Sequence, residues 1–273
     1  MKQELRNKFP EWCQTKNYDT IFITNDFDSW FGSKLLENNK AKIGFFFDNQ
    51  YIYTIENLKK PNGMIAVDAD LVSGRCWGNH VTMMSKDDQV NEKSANVNNI
   101  YKINARNNYT KKYCGSTTLQ IMGYYNMDIS NLSLEAKKVL LCIDSHYIGL
   151  KNYKFKQTQF DWLKILGYDE LIEVAEDTTI DEFEDLQKKY NIKSEIWMDW
   201  DGYLKTDIKL NELSELFNMD LSLPQQKWVY TGIEMGTATQ NITFIRTKKE
   251  LTNQKLFIYV QTYRKSGLFN YYK

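Results

Sequence analysis

Apolar runs that stop on acids constrain this chain more than any other feature. Ile21-Phe22-Ile23-Thr24 runs into Asn25-Asp26-Phe27-Asp28. Met64-Ile65-Ala66-Val67 runs into Asp68-Ala69-Asp70. Val139-Leu140-Leu141-Cys142-Ile143 meets Asp144, a run that reads equally well as a helix end. The first two are mainly apolar and carry β-branched residues, and Lys42–Phe47 is a further apolar run after its leading lysine. Residues 29–38 between them read as a helix. Strands without polar alternation belong in a parallel sheet covered on both faces, so the fold class is α/β. In such sheets ligands sit at the carboxyl ends of the strands, where these acids fall.

Asp26 and Asp28 at i and i+2 can converge on a divalent cation, and hard oxygen ligands suit Mg²⁺ or Mn²⁺. Asp and Asn also serve as turn residues and helix N-caps, which is the competing role for each of them. The chain has two histidines, His80 and His146, both near the acid-bearing segments. Gly115-Ser116-Thr117-Thr118 opens a helical pattern, where backbone N–H groups and hydroxyls either cap the helix or hold a phosphate. Residues 71–115 are the least regular part of the chain, and long irregular stretches in compact domains are often functional.

A chain of 273 residues can form one large or two small domains. The expected boundary lies within a polar linker at Lys151–Gln159. It separates an α/β domain over 1–155 from a smaller α+β unit over 156–273. In the latter, an acidic helical segment precedes antiparallel strands at Trp228–Tyr230, Ile242–Ile245 and Leu256–Val260. Residues 160–220 hold 17 acids against 6 bases, and residues 221–273 hold 8 bases against 2 acids. That acidic segment argues against a long duplex-binding surface. No run approaches a membrane span and the N-terminus lacks a signal-peptide core, so a cytoplasmic protein is expected. The four cysteines form no CxxC pair. Richness in Asn, Lys, Ile and Tyr fits a low-GC coding genome, bacterial or phage.

The order Asp26-Phe27-Asp28-Ser29, Val67-Asp68-Ala69-Asp70, Gly78-Asn79-His80 and Ile143-Asp144 resembles the DHH phosphoesterase superfamily over residues 20–150. That group includes RecJ-type exonucleases, oligoribonucleases, cyclic-dinucleotide phosphodiesterases and pyrophosphatases. The resemblance implies a parallel-sheet N-terminal domain in which Asp26, Asp28, Asp68, His80 and Asp144 hold two Mn²⁺ or Mg²⁺ ions. The Gly115-Ser116-Thr117 helix start looks like the helix after the family's histidine motif and is expected on the substrate side with Asn79. Arg75, Lys112 or a C-terminal base are the candidates for pairing with a substrate phosphate, with no motif selecting among them. The family's Asp-His-His triplet reads Gly78-Asn79-His80 here, and its Gly after DxD is Ser29.

The function expected from these residues is metal-dependent hydrolysis of phosphodiester bonds in short single-stranded oligonucleotides or nucleotides. Two alternatives stand beside it: a non-catalytic binding protein that keeps the fold, and a haloacid-dehalogenase-type phosphatase with Asp26 as nucleophile.

Overall fold

The computed structural model describes residues 1–273. Two short helices lead in, α1 (Gln3–Arg6) and α2 (Trp12–Thr15), and Pro10 lies in the break between them. Then come β1 (Thr20–Ile23), α3 (Phe27–Leu36), β2 (Lys42–Phe47), β3 (Tyr51–Ile55) and β4 (Met64–Val67). The irregular stretch contains β5 (Cys76–Trp77), β6 (Ser94–Ala95) and one turn of helix, α4 (Val97–Ile100). Helices follow: α5 (Thr117–Tyr124), α6 (Leu134–Cys142), α7 (His146–Lys151), α8 (Lys156–Leu166), α9 (Glu170–Asp177) and α10 (Ile180–Lys189). A hairpin of β7 (Ile196–Met198) and β8 (Leu204–Thr206) precedes α11 (Leu210–Phe217). The chain ends in β9 (Trp228–Asn241), β10 (Leu256–Tyr263) and β11 (Ser266–Tyr272).

The fold is mixed α/β, built on a nine-stranded sheet in the order β10-β11-β9-β3-β2-β1-β4-β5-β6. The segment β2-β1-β4-β5-β6 is parallel, and β3, β9, β11 and β10 join it antiparallel. Strand alternation gives the parallel segment two apolar faces. Ile21, Ile23, Ile43, Phe46, Ile65 and Val67 face the helices in the main core. Phe22, Ala66, Phe47 and Cys76 face the other way, onto Met235 and Ile258 of the C-terminal strands. The sheet therefore curls. Strand β10 comes back beside the segment after β4, where Val72 N–H donates to Phe257 O (2.8 Å) and Tyr259 N–H to Asp70 O (3.2 Å).

The sheet is continuous from β3 into β9, and the main core takes in residues from both sides of the expected 155/156 boundary: Ile21, Phe27, Leu163, Phe183 and Trp228. The polar linker expected at Lys151–Gln159 is instead the end of α7, a turn over residues 152–155 and the first turn of α8. Its last residue bonds inward, since the Gln159 amide accepts from Cys114 N–H (3.1 Å) and donates to Lys112 O (2.8 Å). Ile242–Ile245 is not a strand. Asn241 Oδ1 accepts from Thr243 N–H (2.9 Å), an Asx turn that ends the ladder. The capping box expected at Thr179-Ile180-Asp181-Glu182 is present. No helix is long and apolar enough to cross a membrane.

Candidate metal centre

The strand order reverses between β1 and β4, and the crevice at their carboxyl ends is where doubly wound sheets take ligands. Ser29 fixes that crevice: its hydroxyl accepts from Thr24 N–H (2.8 Å) and donates to Val67 O (2.7 Å), tying the two strand ends together. Asp26 is the N-cap of α3, with its carboxylate accepting from Ser29 N–H (2.9 Å). Asp28, two residues on, points from the first turn of α3 to the start of α5. There it accepts from Thr117 N–H (2.7 Å) and Thr118 N–H (2.8 Å). Asp68 follows β4 in the left-handed region (φ 52°), which Asp tolerates better than most residues, and accepts from the Thr117 hydroxyl (2.7 Å). Asp144 and Ser145 are also left-handed, at the kink between α6 and α7. Asn79 Nδ2 donates to the Asp144 carboxylate.

Three separate segments thus bring one oxygen each of Asp28, Asp68 and Asp144 within 4.8 Å of one another. Asp28 forms the buried floor, Asp68 is half-buried and Asp144 is exposed at the mouth. Asp26 lies against Asp68, close enough for a hydrogen bond between their carboxyls. Burial, then the charge of Asp26, pushes Asp28 up to about 6 against the pull of its bonds to Thr117 and Thr118. Loss of bulk solvation and then the neighbouring carboxylates hold Asp68 and Asp144 well above the usual carboxylate range. Asp26 is raised mainly by burial. Such crowding of negative charge favours either protons or a cation.

His80 faces the same cluster. Its Nδ1 lies 3.1 Å from Asp70 Oδ2, which also accepts from His80 N–H (3.1 Å), while Asn96 Nδ2 holds the other Asp70 oxygen (2.7 Å). A carboxylate on Nδ1 is the usual outer support of a metal-binding histidine, and would leave Nε2 free as a ligand nitrogen. Burial pulls the imidazole pKa down, but the hydrogen bond and charge of Asp70, then the charge of Asp144, outweigh it and raise the pKa. The imidazole remains 38% exposed. His146 does not join the site. It is buried against Tyr113 (ring centroids 5.6 Å apart) beneath Gly115, where a Cβ would sit 2.6 Å from Nδ1. Neither ring nitrogen has a partner.

Burial therefore depresses His146 to about 3. Its stabilising neutral form is fully effective above the unfolded value near 6.5 and lost as pH falls toward 3. Replacement by Phe is expected to move the acid-unfolding midpoint to lower pH, read by circular dichroism. An unchanged midpoint would show that His146 does not control the acid limb.

Of the sequence-predicted set, Asp28, Asp68 and Asp144 are brought together, Asp26 adjoins them at Asp68, His80 stands near enough to feel the charge of Asp144, and Asn79 joins through Asp144. Gly115 contributes its carbonyl, which accepts from Asn79 Nδ2 (2.9 Å). Two placements differ from expectation. The start of α5 is not a free phosphate cradle: Ser116 caps Leu119 N–H, and the Thr117 and Thr118 amides are taken by Asp28. Arg75 lies before β5, at the opposite end of the parallel strands, with its guanidinium on Asn17 O and Oδ1 (both 3.0 Å). Sequence reading also left the role of Asp70 open and missed the amides behind the site. Asn98 donates to Asn79 O and Tyr113 O, and Gln120 donates to Gly78 O and Ala95 O. Their only signal was the Asn96–Asn99 cluster inside an irregular stretch. Gly78 is required here, because a Cβ would collide with the Asp70 carboxylate.

The donor set suits a hard divalent cation: carboxylates, one imidazole held by Asp70, and the Asn79 Oδ1 atom, buried without a partner beside Asp144. Comparison of the chain with family models, with curated proteins and with solved structures finds no match.

Proposed function

We propose that the chain is a divergent DHH-type phosphoesterase that hydrolyses phosphodiester bonds of short single-stranded oligonucleotides or nucleotides with two Mn²⁺ or Mg²⁺ ions. The observation that carries this reading is the convergence of Asp28, Asp68 and Asp144 with the unpaired Asn79 oxygen close by. Asp28, Asp68 and Asp144 would hold one ion, and Asp26, Asp68 and His80 the other, with Asp68 shared. Bound ions supply an acidified water and neutralise phosphate oxygens during in-line attack. The protein keeps the carboxylates in register: Thr117 braces both Asp28 and Asp68, and Ser29 locks the strand ends that carry them. Asp70 beside His80 Nδ1 would keep the proton there and leave Nε2 free to bind the ion. On this reading residues 1–155 carry the catalytic residues, the C-terminal strands extend the same sheet beside them, and the protein works in the cytoplasm.

The test is Mn²⁺ titration by calorimetry, with hydrolysis of short oligonucleotides and cyclic dinucleotides screened in parallel. Two ions bound with metal-dependent hydrolysis is the expected result. A folded protein that binds no Mn²⁺ would overturn the reading. A non-catalytic role has one observation in its favour: Asp28 occupies the α5 amides that would otherwise hold phosphate.

A further inference from the structure

A cationic ridge with bare aromatic rings leads away from His80. Strand β10 flanks the site, with Tyr259 N–H on Asp70 O and Gln261 N–H on Val81 O (2.9 Å), on either side of His80 in sequence. Followed outward, β10 ends at Tyr263 and the Arg264-Lys265 turn. The loop over residues 101–112 lies against that turn. Lys112 is near enough for its charge to act on His80, and its ammonium lies 3.3 Å from the Tyr109 hydroxyl. Tyr109 reaches the carbonyls of Gln261 and Thr262 (both 3.5 Å). Arg264 donates to Arg106 O (3.4 Å), and Arg106 donates to Thr243 O (2.8 Å) and Ile245 O (3.2 Å).

The ion pairs of the structure lie elsewhere, so Arg106, Lys111, Lys112, Arg264 and Lys265 are without carboxylate partners. Arg246 is a poorer member, since Glu250 faces it. Phe244, between the two carbonyls that hold Arg106, is 92% exposed, and Tyr263 beside Arg264 is 75% exposed. Exposed rings are ordinary singly. Two beside a run of unpaired cations are the combination that binds single strands, because cations follow the phosphates while bases stack on the rings.

We infer that this ridge is a single-stranded nucleic-acid track, which binds the strand beyond the scissile bond and makes an oligonucleotide, rather than a mononucleotide, the substrate. The inference rests on the proposed phosphoesterase reading for its direction, but not for its test. A rigid duplex cannot splay its bases onto Phe244 and Tyr263, so it is the weaker ligand.

The experiment is fluorescence anisotropy of labelled dT12 in EDTA, where hydrolysis is stopped. Arg264→Gln/Lys265→Gln and Phe244→Ala/Tyr263→Ala change only exposed side chains. Each is expected to weaken binding about tenfold or more, and the first to flatten the salt dependence, whose slope scales as about 0.7 per neutralised phosphate. Lys59→Gln/Lys60→Gln, an equal charge change at exposed positions between β3 and β4, leaves binding unchanged. Affinity indifferent to both ridge variants, or equal affinity for a 12-base-pair duplex, would overturn the inference. Metal-dependent cleavage of a small diester without ridge-dependent dT12 binding removes the track and spares the phosphoesterase. Ridge-dependent binding without metal-dependent cleavage does the reverse.

Discussion

Asp68→Asn is expected to lower Mn²⁺-dependent hydrolysis by about 10³-fold or more, because two ions that each lower the barrier by several kcal/mol would lose their shared ligand. The same substitution is expected to raise the melting temperature in EDTA at pH 7.5. Burial and the charges of Asp26, Asp28 and Asp144 oppose ionisation of Asp68, so a neutral amide there suits the metal-free protein better than a carboxyl. The asparagine oxygen can still accept from the Thr117 hydroxyl, so the local hydrogen bond survives. A variant that melts higher without metal and gains nothing from Mn²⁺ is the signature of a site whose charge is placed for cations. Equal activity of variant and wild type would exclude the shared-ligand role, and a large drop in metal-free melting temperature would mark Asp68 as structural.

The stabilisation given by Mn²⁺ should grow steeply with pH between about 5 and 8. Asp28 is raised to about 6, and Asp26, Asp68 and Asp144 are raised as well. A carboxyl with a raised folded value contributes stability that is full below its unfolded value near 4 and lost as pH rises through the folded one. For Asp28, nearly fully buried, that loss is about 3 kcal/mol in the metal-free protein. The bound cation needs these groups ionised, so it must displace their protons at low pH and offsets their repulsion at high pH. Affinity should therefore fall about tenfold per pH unit for each proton displaced below pH 6. The opposing contribution of His146 is common to both forms and cancels when melting temperatures with and without Mn²⁺ are subtracted. A metal-induced shift that stays flat from pH 5 to 8 would mean that the carboxylates are not the ligands.

The parallel core was legible because its strands are short, apolar and ended by acids. A buried strand has little choice but to read as Ile21-Phe22-Ile23 does, and the next residues must turn. Asp26, Asp28 and Asp68 were legible for the same reason, since the ends of β1 and β4 place them, whereas Asp144 sits at the kink between α6 and α7. What could not be read was the use of each polar group once burial had begun. Ser116-Thr117-Thr118 reads the same whether its amides meet a phosphate or a carboxylate, and only the approach of α3 supplies Asp28. Arg75 sits in sequence among site residues, yet β5 runs parallel to β4, so a residue just before it lies at the far end of the sheet from Asp68. His80 and His146 differ by what closes over them, which depends on contacts far along the chain.

Two of the acids in the centre have second occupations. Asp26 caps α3, and Asp28 serves as the anion at the head of α5, so both are under selection for folding as well as for any chemistry. Asp144 is different: it is exposed, it holds a left-handed backbone, and it ends no helix with its side chain. In a lineage that abandoned catalysis, Asp26 and Asp28 would persist as fossils of architecture while position 144 drifted, first toward glycine or asparagine. On the phosphoesterase reading, the acid at position 144, more than the DxD, is therefore the residue by which catalytic and non-catalytic descendants would be told apart.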